Sequence, residues 1–290
     1  MENKILKNEV IDIIRGAISE DMDGFGDITS KYLIPPNRNS FSYIVCKEAG
    51  GAILSGLDVT GFVLEEIDSS IKIGRLKNDG DRLEYMDRVC NISGSTLSIL
   101  KAERICLNFI QHMSGIATLT GKFAKIAEPY KVKILDTRKT KPTLRKIEKY
   151  AVLCGGGHNH RFGLFDGILI KDNHIAAAGG VSKVIESIRS GIPNNLKIEV
   201  EIKDFNQLDE AITSKADIIM LDNMDPGQMG RAVKIIKEKR GSSCMVEASG
   251  NINLENLEEI CKTGVDMISV GLITHSAPVI DFSLEFEENL

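Results

Sequence analysis

Beyond residue 130, short apolar segments of the chain alternate with stretches of helical periodicity. The apolar segments read VKILD, GILIK, KIEVEI, IIMLD, CMVEAS and MISVG. Alternation of strands and helices predicts parallel pairing through right-handed crossovers, which fits either a barrel or a doubly wound sheet. Polar residues at the strand ends favour the barrel, because the carboxyl ends of barrel strands converge around one opening. These strand-end residues are Asp136, Arg138, Lys139, Lys171, Glu201, Asp222, Ser249, Gly250 and Gly271.

The N-terminal part of the chain follows a different pattern. Residues 6–18 place apolar side chains at helical spacing and predict a first helix. Over residues 41–98, β-rich runs alternate with glycine turns around one helical stretch at residues 58–67. This pattern predicts a small α+β domain with an antiparallel sheet. Two successive helices are expected next, over residues 95–113 and 115–127.

The change of pattern divides the chain into two predicted domains. A chain of 290 residues exceeds the usual size of one compact core, so one large domain and one smaller domain are expected. We predict an N-terminal α+β domain over residues 1–112, joined by the C-terminal tail at residues 276–290. An α/β barrel over residues 113–275 would carry the functional site.

Composition and charge restrict the classes of function. Apolar residues make up 42% and charged residues 27% of the sequence, as in an ordinary globular protein. The net charge of -5 argues against nucleic acid or a membrane surface as partner, because both require a broad basic face. No apolar run reaches bilayer-spanning length, and the N-terminus lacks a leader pattern. The six cysteines are scattered without a C-x-x-C pair, which predicts reduced thiols in a cytoplasmic protein.

Positive charge is nevertheless concentrated within residues 134–175. Such a concentration suits a small ligand with carboxylate and phosphate groups, because guanidinium groups pair with carboxylates in a bidentate manner and lysines suit phosphate oxygens. A solvated basic helix over residues 143–152 would explain part of this charge equally well, but not the cations at the segment ends. The basic residues of the stretch are Arg138, Lys139, Lys141, Arg145, Lys146, Lys149, Arg161 and Lys171.

Two carboxylates, Glu201 and Asp222, interrupt otherwise apolar strands. A buried carboxylate is costly unless it is paired, hydrogen-bonded or bound to a metal. We therefore expect these two residues to orient sugar hydroxyls, to hold Mg²⁺ that bridges substrate phosphates, or to do both. Glu199 points to the same face as Glu201, which leaves open that one of the two simply faces solvent.

The last two predicted strands indicate a phosphate site. Ser249 and Gly250 follow one of them, and Gly271 follows the other. Barrels often bind phosphate at this place through backbone N–H groups and a hydroxyl. Glycine favours such a site because it lets the backbone approach the ligand closely.

Three histidines in the basic stretch, His158, His160 and His174, are candidates for a metal centre. The sequence His158-Asn159-His160 places two of them on opposite sides of an extended chain, or apart on a loop. This spacing disfavours a metal site that uses all three side chains.

Several motifs occur in one order along nearly the whole chain. They are Glu103-Arg104, Leu107-Asn108, Ser114 to Thr118, Thr137 to Thr140, Leu144-Arg145, Glu148 to Val152, Gly155 to Gly157, Asn159 to Arg161, Ile170 to His174, Leu221 to Asn223, Glu247 to Gly250 and Val270 to Ser276. These motifs are long, and together they resemble the nicotinate-nucleotide pyrophosphorylases, also called quinolinate phosphoribosyltransferases.

The resemblance implies an activity, a fold and an assembly. The activity is transfer of phosphoribose from phosphoribosyl pyrophosphate to the ring nitrogen of quinolinate, which releases pyrophosphate and carbon dioxide and gives nicotinate mononucleotide for NAD synthesis. The implied fold is a seven-stranded α/β barrel with a sandwich-like N-terminal domain, and the implied cofactor is Mg²⁺. The implied assembly is a homodimer, or a larger assembly of dimers, in which Arg104 is supplied to the neighbouring chain.

The resemblance also assigns roles to individual residues. Catalysis would depend on Lys139, Lys171, Glu201 and Asp222. Quinolinate would be bound by Arg104, Arg138, His160, Arg161 and Lys171. Phosphoribosyl pyrophosphate would be bound by Lys139, Asp172, His174, Glu201, Asp222, Asn223, Ser249, Gly250 and Gly271. Glu201 and Asp222 would also hold Mg²⁺, directly or through water.

One segment departs from the family pattern, since Lys141-Pro142-Thr143 stands where Thr-Pro-Gly is commoner. Pyrophosphorylase-like proteins associated with molybdenum transport share the scaffold and are one alternative function. A Schiff-base aldolase is another, because Lys171 ends a barrel strand and a desolvated lysine can act as a nucleophile. A phosphate-sensing barrel needs only the late-strand site and gives no reason for Glu201 and Asp222.

Overall fold

The computed structural model describes residues 4–193 and 195–287. Within this part the chain forms two compact units. The first unit comprises the chain up to Gly121, the segment Thr140–Gly156 and the chain from Ile273 onward. The second unit comprises Lys122–Lys139 and Gly157–Leu272.

Helices and strands alternate in both units. The helices are α1 (Lys7–Met22), α2 (Ile28–Leu33), α3 (Leu57–Ile67), α4 (Thr96–Ala127), α5 (Arg145–Cys154), α6 (Asp172–Ala178), α7 (Val181–Gly191), α8 (Phe205–Thr213), α9 (Pro226–Arg240), α10 (Leu257–Cys261) and α11 (Leu272–His275). The strands are β1 (Asn39–Cys46), β2 (Ala52–Ile53), β3 (Lys72–Arg75), β4 (Arg82–Leu83), β5 (Arg88–Ser95), β6 (Lys133–Leu135), β7 (Ile168–Ile170), β8 (Ile198–Ile202), β9 (Ile218–Asp222), β10 (Met245–Ser249), β11 (Met267–Ser269) and β12 (Phe282–Phe286). Across the described residues, no helix combines the length and the apolar character that crossing a membrane requires.

An antiparallel sheet with the strand order β12-β1-β5-β3 organises the first unit. Strand β1 is central because it pairs with both β5 and β12. Its buried residues Ile44, Val45 and Cys46 contribute to the core of this unit. The predicted α+β domain with an antiparallel sheet is confirmed, and the C-terminal strand β12 completes its sheet.

Helix α4 occupies a region for which the sequence predicted two helices, and that prediction was wrong. The helix is continuous through Gly115. A Cβ atom at Gly115 would lie 1.9 Å from the carbonyl oxygen of Pro278, so the glycine permits close packing and does not end the helix. Helix α4 therefore also runs past residue 112, where the sequence-based division placed a domain boundary.

The segment Thr140–Gly156 belongs to the first unit, whereas the sequence-based division assigned it to the barrel. Helix α5 lies in this segment and packs against α1. Glu148 and Lys149 are buried in it, with 0% and 2% of their surface exposed. Helix α5 is therefore not the solvated basic helix that the charge pattern alone allowed.

A parallel sheet with the strand order β6-β11-β10-β9-β8-β7 forms the second unit. All six strands come from the apolar segments that the sequence marked as strands. An isolated parallel bridge between Leu135 and His158 adds a further pairing to β6. The predicted α/β barrel is confirmed, with six regular strands and the bridge at His158 in the seventh place.

Side-chain alternation along β8 sorts its residues between two faces. Ile198, Val200 and Ile202 are fully buried and alternate with Glu199 and Glu201. Because successive side chains of a strand point to opposite faces, both glutamates share the inner face of the barrel. Glu199 is 6% exposed, and the side chain of Glu201 is 11% exposed. Neither of them faces solvent, which answers the question that the sequence left open.

Thr143, which precedes α5, adopts a left-handed backbone conformation with φ of 68°. This conformation is unfavourable for a β-branched residue and costs about 1 kcal/mol or more, whereas glycine adopts it readily. We expect Thr143→Gly to raise the melting temperature by about 2 °C, since about 1 kcal/mol shifts a protein of this size by that amount. Thermal unfolding followed by circular dichroism measures the shift.

Thr213→Gly provides the matched control, because Thr213 lies at the end of α8 in a helical conformation. There glycine should lower the melting temperature, since it loses more backbone entropy on folding. Equal or lower stability of Thr143→Gly relative to the parent chain would contradict a strained backbone at this position.

Candidate active site

A cavity of about 570 Å³ opens in the second unit at the carboxyl ends of the barrel strands. Parallel strands bring distant parts of the sequence to this end. The cavity is lined by most of the residues that the sequence marked as candidates. These are Arg138, Lys139, His160, Arg161, Lys171, Glu201, Asp222, Asn223, Ser249 and Gly250.

Four predicted site residues lie elsewhere. Asp172 is exposed at the start of α6 and forms an ion pair with Lys203 at 2.8 Å. The Nδ1 atom of His174 accepts a hydrogen bond from the backbone N–H of Lys171 at 3.0 Å, so this ring caps α6. Gly271 lies between β11 and α11 and does not line the cavity. Arg104 is an exposed residue of α4 in the first unit.

The concentration of positive charge predicted over residues 134–175 is divided between the two units. Lys141, Arg145, Lys146 and Lys149 belong to the first unit with Thr140–Gly156. The cations that line the cavity are Arg138, Lys139, Arg161 and Lys171. The basic stretch therefore contributes four cations to the cavity lining and four to the first unit.

Lys171 and Glu201 form an ion pair in the cavity, with the Nζ and Oε2 atoms 2.5 Å apart. The strand register explains this contact, because Ile170 of β7 lies opposite Val200 of β8 and the next residue on each strand is one of the pair. The Lys171 side chain is 44% exposed and that of Glu201 is 11% exposed. The ammonium group thus offsets the charge of a mostly buried carboxylate.

Hydrogen bonds connect the carboxyl ends of the adjacent strands β9 and β10. The register places Asp222 opposite Ser249. The backbone N–H of Asn223 donates to the carbonyl oxygen of Ser249 at 2.9 Å, and Asn251 Nδ2 donates to Asn223 Oδ1 at 3.0 Å. Gly250 has φ of 97°, and a Cβ atom there would lie 2.2 Å from Asn223 Oδ1. Glycine is required at this position because no side chain fits beside Asn223.

The positive side of the cavity contains two arginines. The guanidinium group of Arg161 donates from Nη1 to the carbonyl oxygen of Gly167 at 2.9 Å, which fixes the direction of the side chain. Burial and the nearby charge of Arg138 lower the pKa of Arg161 from its usual value. Two neighbouring guanidinium groups that repel one another suit a ligand with two negative charges, because each can pair with a carboxylate.

His160 is oriented by contacts on both sides of its ring. Its backbone N–H donates to Asp136 Oδ1 at 2.9 Å, and its Nδ1 atom accepts from the backbone N–H of Arg161 at 2.8 Å. Its Nε2 atom lies 3.2 Å from Glu199 and 3.7 Å from Glu247. Since Nδ1 accepts a hydrogen bond, the proton of the neutral ring resides on Nε2 and points toward the two glutamates.

The cluster of His160, Glu199 and Glu247 has a spacing that a metal ion could bridge. A protonated Nε2 atom cannot ligate a metal, so the hydrogen-bonding pattern of the ring argues against this use. Burial, followed by the negative charge of Glu199, raises the pKa of Glu247 to about 7. One of the two glutamates can therefore hold a proton near neutral pH, which reduces their repulsion.

Sequence reasoning missed several residues of the site. The position of Glu247 could have been deduced from the sequence. It lies two residues before Ser249 on the same strand, so the two side chains share one face of the sheet. Asp136 ends β6 and was noted only as a strand-end residue, although it is fully buried. Five residues that line the cavity received no role from the sequence: Thr137, Leu169, Met220, Asn251 and Ser269.

Comparison with known proteins identifies the family. The family model described as quinolinate phosphoribosyl transferase, N-terminal domain, matches residues 27–114, and the one described as the C-terminal domain matches residues 116–285. A quinolinate phosphoribosyltransferase [decarboxylating] of Nicotiana tabacum, named mitochondrial, is 40% identical over 96% of this chain and 82% of its own length.

Microbial relatives match over similar lengths. A probable nicotinate-nucleotide pyrophosphorylase [carboxylating] of Methanocaldococcus jannaschii is 40% identical over 97% of this chain and 98% of its own. The solved structure of the nicotinate-nucleotide pyrophosphorylase from Francisella tularensis superimposes with a TM-score of 0.92, at 41% identity and over 98% of both chains. The agreement of both family models, of the identities and of the whole fold shows that this chain belongs to the quinolinate phosphoribosyltransferase family.

Proposed function

We propose that the protein transfers phosphoribose from phosphoribosyl pyrophosphate to quinolinate, with loss of carbon dioxide, and so forms nicotinate mononucleotide for NAD synthesis. The observation that carries this proposal is a single cavity with two kinds of lining. Arginines and His160 line one part, and the carboxylates Glu201 and Asp222 with Ser249 and Gly250 line another. Quinolinate offers two carboxylates to the first, and phosphoribosyl pyrophosphate offers hydroxyls and phosphates to the second.

Binding of quinolinate would rely on the positive charge of two arginines and on the fixed orientation of one of them. Arg138 and Arg161 can each pair with one carboxylate, and the fixed guanidinium of Arg161 restricts how the ring lies. Such a hold would present the ring nitrogen to the anomeric carbon of the sugar. Positioning of this kind supplies much of the acceleration when two substrates react, because it removes translational and rotational freedom before the reaction.

Departure of pyrophosphate leaves positive charge on the sugar ring. Glu201 and Asp222 are suited to stabilise this charge, because they end adjacent strands and line the same cavity. Lys139 and Lys171 are suited to the negative charge that develops on the leaving group. Once the ring nitrogen is bonded to the sugar, the positively charged ring accepts the electrons of the adjacent carboxylate as carbon dioxide leaves. The ring carbon then takes up a proton.

We propose Mg²⁺ as the cofactor, held by Glu201 and Asp222. Carboxylate oxygens are the ligands that Mg²⁺ prefers, and these two side chains line the cavity from neighbouring strands. When bound with substrate, Mg²⁺ would supply positive charge to the pyrophosphate oxygens.

We also propose a homodimer, or an assembly of dimers, in which Arg104 serves the active site of the neighbouring chain. Arg104 is exposed on α4, whereas Ile105, Cys106 and Leu107 beside it are buried. Among residues 4–193 and 195–287, no hydrogen bond or ion pair is found for its side chain. An exposed and unpaired arginine beside a buried helix face suits a ligand or a partner that supplies negative charge.

A cytoplasmic location is proposed on the basis of the cysteines. All six are free thiols, and Cys154 alone among them is more than slightly exposed. Free thiols are typical of a reducing compartment, where disulfides do not persist.

The environment of Lys171 supports the Schiff-base aldolase function less well than the transferase function. An aldolase lysine reacts as a neutral amine, which a desolvated pocket favours. Here the Lys171 side chain is 44% exposed and forms an ion pair with Glu201, so it does not lie in the desolvated pocket that this chemistry requires.

The deciding experiment incubates the purified protein with quinolinate, phosphoribosyl pyrophosphate and Mg²⁺. We expect nicotinate mononucleotide to form with one carbon dioxide per turnover, measured from carboxyl-labelled quinolinate. Nicotinate in place of quinolinate is the matched control, because it lacks the second carboxylate and should react poorly. Absence of product at saturating concentrations of both substrates would contradict the proposed function and favour the molybdenum-transport or phosphate-sensing alternatives.

A further inference from the structure

Two buried glutamates beside the cavity have no part in the proposed reaction. Glu199 and Glu247 are 6% and 1% exposed, and neither lines the cavity. A buried carboxylate costs free energy, and an apolar side chain of similar size is often as stable or more stable at such a position. Stability alone therefore gives no reason for two carboxylates at one place.

His160 connects these glutamates to the cavity. The ring directs its Nε2–H group toward Glu199 and Glu247, at 3.2 Å and 3.7 Å. On the opposite side, Nδ1 accepts the backbone N–H of Arg161 at 2.8 Å. A rotation of the ring would break both sets of contacts, so the position of the ring and the backbone at Arg161 are linked.

We propose that Glu199 and Glu247 are positioning residues for quinolinate, which hold the His160 ring and through it the backbone that carries Arg161. This inference rests on the proposed function. Neither glutamate lines the cavity, whereas His160 does, so the ring is the contact through which the glutamates act on the site.

The test compares two substitutions of Glu247 that differ in one property. Glu247→Leu fills similar volume but places no polar atom beside the His160 ring, whereas Glu247→Gln keeps an oxygen where the carboxylate lies 3.7 Å from Nε2. Gln is also a close substitute because burial and the charge of Glu199 raise the pKa of Glu247 to about 7, so the native side chain is often neutral. Quinolinate binding is measured by calorimetry without the second substrate, and both Michaelis constants are measured in the coupled assay.

We expect Glu247→Leu to weaken quinolinate binding about tenfold or more, because small displacements of a binding group have effects of this size. The Michaelis constant for phosphoribosyl pyrophosphate should stay within about twofold, since the strand ends that face it keep their contacts. Glu247→Gln should restore most of the quinolinate affinity. The melting temperatures of Glu247→Gln and Glu247→Leu should both equal or exceed the melting temperature of the parent chain.

Val246→Ala is the matched control, because Val246 is buried on the opposite face of the same strand. It should lower the melting temperature and leave quinolinate affinity unchanged. The positioning role would be overturned if Glu247→Leu weakened the binding of both substrates equally. It would also be overturned if Glu247→Leu left the affinity for quinolinate unchanged. If Glu247→Leu does not fold, the same measurements on Glu199→Leu and Glu199→Gln test the positioning role by the same criteria. A parent chain that fails to bind quinolinate would instead refute the proposed function.

Discussion

Lys171→Ala is expected to reduce the rate of the transfer reaction by a factor of about 10² to 10³, the usual effect of removing one group that stabilises developing charge. The substitution removes a cation from the cavity lining and leaves Glu201 without the ammonium group that lies 2.5 Å away. Because the Glu201 side chain is only 11% exposed, water replaces that partner poorly. Steady-state rates at saturating substrate measure the effect.

Two further variants separate charge from position. Lys171→Arg keeps the positive charge and should retain more activity than Lys171→Ala, although its planar group cannot reproduce the geometry of an ammonium. Lys239→Ala is the matched control, because Lys239 also pairs with a carboxylate, Asp209, at 2.9 Å, but both side chains are more than half exposed. It should leave the rate unchanged. Undiminished activity of Lys171→Ala would contradict the role of this ion pair.

A chemical test at Lys171 distinguishes the transferase function from the aldolase function. A Schiff-base enzyme forms an imine at its lysine, and borohydride reduces this imine to a stable adduct. We expect no adduct at Lys171 when the protein is treated with borohydride in the presence of carbonyl substrates. Mass spectrometry of the digested protein detects the adduct, and its appearance at Lys171 would favour the aldolase.

The positions of the cavity residues could be predicted from the sequence because strand-end geometry depends on local patterns. An apolar segment of strand length that ends in a charged residue places that residue at the barrel opening, whatever the rest of the chain does. Lys171, Glu201 and Asp222 were found in this way, and the strand registers place them on neighbouring strands.

The errors came from long-range contacts that local patterns do not encode. The second of two predicted helices was begun at Gly115, but α4 is continuous there, and the carbonyl of Pro278 lies where a side chain at Gly115 would be. The residues of α5 were assigned to the barrel domain, but the helix packs against α1 in the first unit. Charge shows what a segment can bind and does not show where the segment packs.

The other large effect follows from the proposal that Arg104 serves the active site of a neighbouring chain. Arg104→Ala should reduce activity by a factor of about 10² or more if the guanidinium pairs with a substrate carboxylate, since losing one charge-assisted bidentate contact costs about 2 to 5 kcal/mol. The fold of the variant should be unaffected, because Arg104 is exposed and has no ion-pair partner among the described residues of its own chain. Asn108→Ala, an exposed residue one turn further along α4, tests whether any substitution on this face reduces activity.

Complementation tests whether the site is shared between chains. Lys139→Ala removes a cavity residue and should be inactive as well. If Arg104 acts in the neighbouring chain, a heterodimer of the two variants has one site with both defects and one site with neither. After complete exchange of subunits in an equal mixture, about half of the dimers are heterodimers with one intact site of two, so about a quarter of the parent activity should return. Mass spectrometry of differently labelled chains verifies the exchange. With exchange verified, an inactive mixture would mean that Arg104 acts within its own chain, because in that case each site of the heterodimer carries one defect.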